Sequence, residues 1–134
     1  MSDRLLDTNH LGLAVRKHSQ VFARLKAEIG RGVRVGTCVP VLCEIEVGAE
    51  QVANPAKYRR GLREVLRMVR QWPLSRATAS HYGEIANDLM RRGRAMSQVD
   101  LMLAALSREL DLVLVTTDKD FAALPWLKTE DWSL

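Results

Sequence analysis

At 134 residues, with 47% hydrophobic and 27% charged side chains, the chain is sized and mixed for one soluble domain, residues 1–134, able to bury a core without staples. A formal net charge of +4 admits a polyanionic partner without requiring one. No segment reaches the length of a membrane-spanning helix, and Asp3, Arg4 and Asp7 break up the start where a signal peptide would be apolar, so a cytoplasmic protein with no membrane partner is expected.

Leu5-Leu6 opens a short buried strand that ends at Asp7, and Asp7-Thr8-Asn9 has the chemistry of a turn. Ser19 is placed to cap a helix whose apolar face is Phe22, Leu25 and Ile29, with Gly30 and Gly32 closing it. Val33 to Cys38 reads as a second strand, and Pro40 suits the first turn of a helix running through Glu50. Cys38 and Cys43 flank this passage and read as small core side chains. With no CxxC and no Cys/His spacing there is no zinc site, and a reducing setting is expected. Asn54-Pro55 caps a helix with Leu62, Val65, Leu66 and Val69 on one face and Arg59, Arg63, Arg67 and Arg70 largely on the other. Trp72-Pro73-Leu74 is a short extended piece that its proline confines to a sheet edge. A helix from about Ala77 to Arg92 buries Tyr82, Ile85 and Leu89 and stops at Gly93; Ser97 caps another with Leu101, Ala104, Ala105 and Leu106 inward. Leu112 to Thr116 is the strongest strand, followed by a short helix around Phe121 and a terminal strand near Leu127. Strands alternating with helices mean a parallel sheet covered on both faces, with ligands beyond the carboxyl ends of its strands.

Four carboxylates fall where such a sheet would aim them at one point. Asp7 and Asp118 follow strands, and Glu44 and Asp100 lie at or near helix starts. Each also has a plain reading. Asp7 can cap a turn, Asp100 sits one turn after Ser97 where an acid suits the helix dipole, and Asp118 can begin a helix. Glu44 has apolar neighbours at 41, 42 and 45, which sets it near a buried face, whereas Glu46 is solvated. Clustered carboxylates without cationic partners repel, a divalent cation relieves the repulsion, and all-oxygen ligands favour Mg²⁺ or Mn²⁺. A hard ion on a basic chain suggests phosphodiester chemistry. Thr8 and Asn9 could hold Asp7 by hydrogen bonds, and Thr116 and Asp120 stand beside Asp118 in supporting positions. The Arg59–Arg70 stripe reads as a solvated face, an RNA contact or a site for an acidic partner. Arg91, Arg92 and Arg94, beside the loop leading to Asp100, are the stronger RNA contacts. His10, His18 and His81 show no ligand spacing. His10 is expected at the surface despite its nearness to Asp7, and Trp72, Trp126 and Trp132 are expected to pack at sheet edges.

With these residues in hand, the chain resembles the PIN-domain ribonucleases, most closely the VapC toxins of type II toxin–antitoxin pairs. Leu5-Leu6-Asp7-Thr8-Asn9 resembles the family's opening strand and first metal-binding Asp. Glu44, four residues before Gly48-Ala49, resembles its helical Glu. Gly93 through Asp100, then Leu103-Ala104-Ala105, resembles the third motif. Val115-Thr116-Thr117-Asp118-Lys119-Asp120-Phe121 resembles the fourth, where Asp118 is favoured over Asp120. Pro40 departs from the pattern, standing where a Ser or Thr is common. The resemblance implies a three-layer α/β/α domain with parallel strand order 3-2-1-4-5. It also implies a Mg²⁺- or Mn²⁺-dependent endoribonuclease that leaves 5′-phosphate and 3′-hydroxyl ends, with Asp7, Glu44, Asp100 and Asp118 as metal ligands. By its tail and fourth motif the chain is similar to toxins that cut initiator tRNA in the anticodon stem-loop. A homodimer silenced by a VapB-like antitoxin is implied as well. Two other classes fit less well. A PIN-fold module that binds RNA or protein without cutting would not need all four acids. A phosphorylation-receiver domain needs a mid-chain Asp, and none occurs from Val52 to Arg76.

Overall fold

A computed structural model describes residues 2–134. Five short strands form one parallel sheet in the order β3-β2-β1-β4-β5, within a three-layer α/β/α arrangement. In chain order the elements are β1 (Arg4–Leu6), α1 (Thr8–Ala14), α2 (Gln20–Gly30), β2 (Val35–Thr37), α3 (Val39–Ala49), α4 (Pro55–Met68), β3 (Arg70–Gln71), α5 (Arg76–Arg91), α6 (Gln98–Leu110), β4 (Val113–Val115) and β5 (Thr129–Glu130), with a 3₁₀ turn over Lys119–Ala123 before β5. The centre of the sheet is the β1–β4 pair, in register Leu5↔Leu114 and Leu6↔Val115. All four side chains are fully buried, as expected for strands covered on both faces.

The helices start where the sequence supplies caps. Ser19 accepts from Phe22 N, Asn54 from Lys57 N and Ser97 from Asp100 N, each at 3.1 Å, and Ser75 and Thr78 form a reciprocal capping box. Gly93 ends α5 at φ +68°, a backbone setting that favours glycine. The amphipathic faces read from the sequence are the faces that pack: Leu25 on α2, Leu62 and Val65 on α4, Ile85 and Leu89 on α5, and Leu101, Ala104, Ala105 and Leu106 on α6 are buried. The C-terminal segment is tied down by charge. Arg4 grips both oxygens of Glu130 at 3.0 and 3.1 Å, and Trp132 Nε1 donates to Glu130 at 3.0 Å. Buried Glu28 on α2 accepts from Arg24 at 2.9 Å and Arg31 at 2.8 Å, and Arg24 lies 5.4 Å over the Trp132 ring.

Four expectations change. The segment after Asp7 is a seven-residue helix, α1, rather than a turn alone. The edge strand is Arg70–Gln71, just ahead of Trp72-Pro73-Leu74, because Pro73 has no N–H to offer a ladder. Cys38 is buried and its thiol is pushed up to about 11 by that burial, but Cys43 is exposed. It shares the open face of α3 with exposed Val39 and Val47, four residues away on either side. Trp126 is 42% exposed, its ring beneath the Arg108 guanidinium, whereas Trp132 is buried.

Trp72 covers β2 at Gly36. A Cβ built there would fall 2.5 Å from Trp72 Cζ3 and 2.9 Å from the Arg70 carbonyl oxygen. Neither neighbour is the free end of a flexible chain, so Gly36→Ala should destabilise the domain by roughly 1–3 kcal/mol, the usual range for overpacking. A drop of several degrees in the thermal midpoint is expected. An unchanged midpoint would mean that the Trp72 ring yields freely and does not fix the β2–β3 edge.

Candidate functional site

The sheet pairing determines where the acids emerge. Asp7 follows β1 directly, and its N–H bonds the Val115 carbonyl at the end of β4 at 3.2 Å. Asp118 lies three residues past the end of β4. Both carboxylates therefore leave the carboxyl edge of neighbouring parallel strands. Asp100 enters from the first turn of α6, and Glu44 from the middle of α3.

Each acid is held locally. Asp7 is 8% exposed and caps α1, its Oδ1 accepting from His10 N at 2.8 Å. Asp118 caps the 3₁₀ turn by accepting from Asp120 N at 2.8 Å, and its own N–H bonds the buried Thr116 hydroxyl at 3.0 Å. Asp100 is half-buried next to its cap Ser97. Thr8 donates to Glu44 rather than to Asp7, and Asn9 reaches Thr117 at 3.5 Å. Glu44 is exposed, contrary to the buried-face expectation. Val41 and Ile45 turn inward on α3, and one residue's rotation from Ile45 is enough to bring Glu44 out. Glu46 is solvated as expected and pairs with Arg59.

The four acids share one electrostatic neighbourhood. Burial pushes the Asp100 carboxyl above its ordinary range. A Ser97 hydrogen bond opposes the rise, and the charges of Asp118, Glu44 and Asp7 reinforce it. Asp118, not Asp120, is among the charges acting on Asp100. Among the described residues, no Lys or Arg forms an ion pair with any of the four. Nor do three or more His, Cys, Asp or Glu side chains already close around a point as a ligand cage. A set of carboxylate oxygens, mutually repelling and without a cationic partner, is the donor chemistry a hard divalent cation suits. Beside it lies a cleft of ≈ 560 Å³ whose lining includes Thr116, Thr117, Asp118, Lys119 and Asp131.

The basic residues divide. Arg91, Arg92 and Arg94 are all exposed at the end of α5 and the following loop. Arg92 is occupied by Asp88 at 2.8 Å and by the Ala123 carbonyl at 2.9 Å, tying α5 to the 3₁₀ turn. Arg91 and Arg94 have no side-chain partner among the described residues. In the α4 stripe, Arg59 pairs with Glu46 and Glu50. A groove at the α1 end and α4 start is lined by Arg16, Lys17, His18, Lys57 and Arg60.

Sequence reasoning also misplaces His10, expected at the surface. Its ring is completely buried, with Nδ1 3.1 Å from Asp7 Oδ1 and Nε2 3.2 Å from Trp132 N. The Asp7–His10 spacing of three, one helical turn, is the available signal; the other contact arises 122 residues away and leaves no local trace.

The fold has relatives among known proteins. The chain is 28% identical over 130 residues to the tRNA(fMet)-specific endonuclease VapC of Shigella flexneri, across 96% of this chain and 97% of that one. Among solved structures it is similar to VapBC2 from Rickettsia felis bound to a promoter DNA fragment, with TM-score 0.86, 23% identity, and coverage of 96% and 98% of the two chains. It is also similar to DNA-bound VapBC from Salmonella typhimurium, with TM-score 0.84, 25% identity, and coverage of 98% and 99%. The PIN domain model matches residues 4–127, nearly the whole α/β/α unit whose carboxyl edge carries the acids, and the chain belongs to the PIN-domain family.

Proposed function

We propose that this chain is a divalent-metal-dependent endoribonuclease toxin of the VapC kind. The observation that carries the reading is four carboxylates, delivered by four separate parts of the fold to one electrostatic neighbourhood, with no Lys or Arg paired to them among the described residues. Asp7, Glu44, Asp100 and Asp118 hold Mg²⁺ or Mn²⁺, which supplies charge stabilisation for phosphodiester cleavage and makes water more acidic. Thr8 steadies Glu44, Thr116 steadies Asp118 and Ser97 steadies Asp100, while Asp120 supports the turn that Asp118 caps. Arg91 and Arg94 draw the RNA backbone toward the loop before Asp100, and Arg92 braces that loop. The similarity to the Shigella flexneri tRNA(fMet)-specific enzyme supports initiator tRNA as the substrate, and the anticodon stem-loop is the cut site assigned to it in this reading. The similarity to VapBC complexes supports a VapB-like antitoxin as the partner, and the same reading takes the toxin as a cytoplasmic homodimer.

Incubating purified protein with initiator tRNA and Mg²⁺ or Mn²⁺, with and without EDTA, tests the reading. Metal-dependent cleavage is expected, and RNA binding without cleavage under both metals would identify a binding module instead. Asp100→Asn should lower cleavage by about 100-fold or more, the scale of removing a group that acts in the chemistry.

The same variant has a stability signature without metal. The folded Asp100 carboxyl lies above its ordinary value of 3.8, so folding favours its protonated form and its ionised form costs stability at neutral pH. That cost vanishes as the pH falls below the ordinary value. Metal-free Asp100→Asn should therefore melt at or above the wild type near pH 7, and the difference should close in acid. A lower midpoint at pH 7 would make Asp100 a structural cap first.

Arg91→Ala with Arg94→Ala should raise KM more than it lowers kcat, because backbone contacts persist from ground state to transition state. The salt dependence of RNA binding should flatten by about one unit of slope for each phosphate left without its arginine. The Lys57→Ala, Arg60→Ala pair should have the smaller effect. The reverse order would put the RNA along the α1–α4 groove.

A further inference from the structure

The buried ring of His10 lies between two parts of the chain that the proposed chemistry does not otherwise connect. On one side, Asp7 Oδ1 receives two donors from the same residue: the His10 backbone N–H at 2.8 Å and the ring Nδ1 at 3.1 Å. On the other side, the main-chain N–H of Trp132 points at Nε2 from 3.2 Å. A backbone N–H can only donate, so Nε2 must accept, and the ring proton is left on Nδ1, facing the carboxylate. Asp131 Oδ1 is 3.3 Å from the same Nε2, but that oxygen already accepts from Ser133 N at 2.8 Å and Ser133 Oγ at 2.6 Å. A proton on Nε2 would also confront the Trp132 N–H directly. Among the described residues Asp7 Oδ2 has no hydrogen-bond partner, and it is not among the buried atoms lacking one, so it reaches solvent.

We propose that His10 is a positioning residue. Its Nδ1–H pins Oδ1 and turns Oδ2 of Asp7 outward as the metal-ligand oxygen, and the main chain of Trp132, 122 residues away in sequence, fixes the ring in the tautomer that does so. A carboxylate held on one oxygen by two donors from a fully buried residue cannot rotate without breaking both bonds. The acid that follows β1 thereby depends on the seating of the C-terminal tail, since Trp132 is itself buried and bonded to Glu130, which Arg4 holds. This rests on the reading of Asp7 as a metal ligand.

The test uses the full chain, two substitutions and Mn²⁺ alone. In His10→Asn the side-chain amide can stand where Nδ1 stood and still donate to Asp7. In His10→Gln the terminal amide reaches the Nε2 position, so the Trp132 hydrogen bond survives and the donor to Asp7 is removed. Isothermal titration should show Mn²⁺ affinity near the wild type for Asn and at least about 10-fold weaker for Gln, the scale of removing a partner that orients a ligand. Thermal melts establish that both variants fold. In the metal-free wild type, long-range ¹H–¹⁵N spectra should show the His10 ring, identified by its absence in the Gln variant, protonated at Nδ1 only. An Nε2–H tautomer, wild-type Mn²⁺ affinity in the Gln variant, or equal losses in both variants would overturn the assignment. A wild-type chain that fails to bind Mn²⁺ would strike the metal reading itself, and the purpose given to His10 with it, whereas normal wild-type binding beside an unaffected Gln variant strikes His10 alone.

Discussion

The parallel pairing of β1 with β4 is the constraint on which the site depends. It runs Leu5↔Leu114 and Leu6↔Val115, and it ends with Asp7 N bonded to Val115 O. A one-residue slip would exchange the side chains that face the two helix layers and carry Asp7 away from the strand that leads to Asp118. Bringing carboxylates to one edge is opposed by their charge. Two unit charges about 6 Å apart repel by roughly 3 kcal/mol at an effective dielectric near 20. Burying one leucine offsets about 2 kcal/mol. A single apolar contact could not hold such a cluster, and the fully buried Leu5, Leu6, Leu114 and Val115 beneath it supply the balance.

The structural and functional readings of the acids turn out to be the same physics. Asp7 caps α1, Asp118 caps the 3₁₀ turn and Asp100 occupies the first turn of α6 behind its own cap. Backbone N–H groups at helix starts partly neutralise a carboxylate and fix its direction. A site assembled from capping acids therefore tolerates its own repulsion while still facing outward. Glu44 is the exception. It lies mid-helix with no such donors, and the Thr8 hydroxyl takes their place.

The parts of the fold legible in the sequence are those set by near neighbours. Periodic apolar faces mark α2, α4, α5 and α6, the β-branched run from Leu112 to Thr116 marks β4, and Ser19, Asn54 and Ser97 mark helix starts. What stays hidden depends on partners distant in sequence or on weak patterns. Helix α1 is too short for periodicity to show. Helix α3 is apolar nearly all round, so its sequence does not say which side is covered, and Cys43 and Glu44 have no legible placement. The edge strand is displaced by two residues because Pro73 and Trp72 resemble its boundary. His10 resembles a surface histidine because nothing near it in sequence reveals that Trp132 closes over its ring.

The remaining charges explain why the four acids are left alone in a chain that carries more cations than anions. Asp3 is matched by Arg34, Glu28 by Arg24 and Arg31, Glu46 and Glu50 by Arg59, Glu64 by Lys17, Glu84 by Arg108, Asp88 by Arg92, and Glu130 by Arg4. These pairs lie along helix flanks, at the starts of β1 and β2 where Asp3 meets Arg34, and across β4 where Arg4 of β1 reaches Glu130 of β5, and several join elements that must stay in register. Exposed pairs of this kind add little stability individually. Each arginine so paired is committed to a carboxylate outside the four. Arg92 is the clearest case: close enough in sequence to the loop before Asp100 to reach that edge, it is drawn back by Asp88 and the Ala123 carbonyl. Arg91 and Arg94 stay exposed without partners among the described residues, so positive charge remains for a polyanion near the site while none is committed to neutralising the acids. Separating the two signs across one loop leaves the carboxylates without a committed counter-ion, as the proposed cation site requires, and leaves the arginines uncommitted, as the proposed phosphate contacts require.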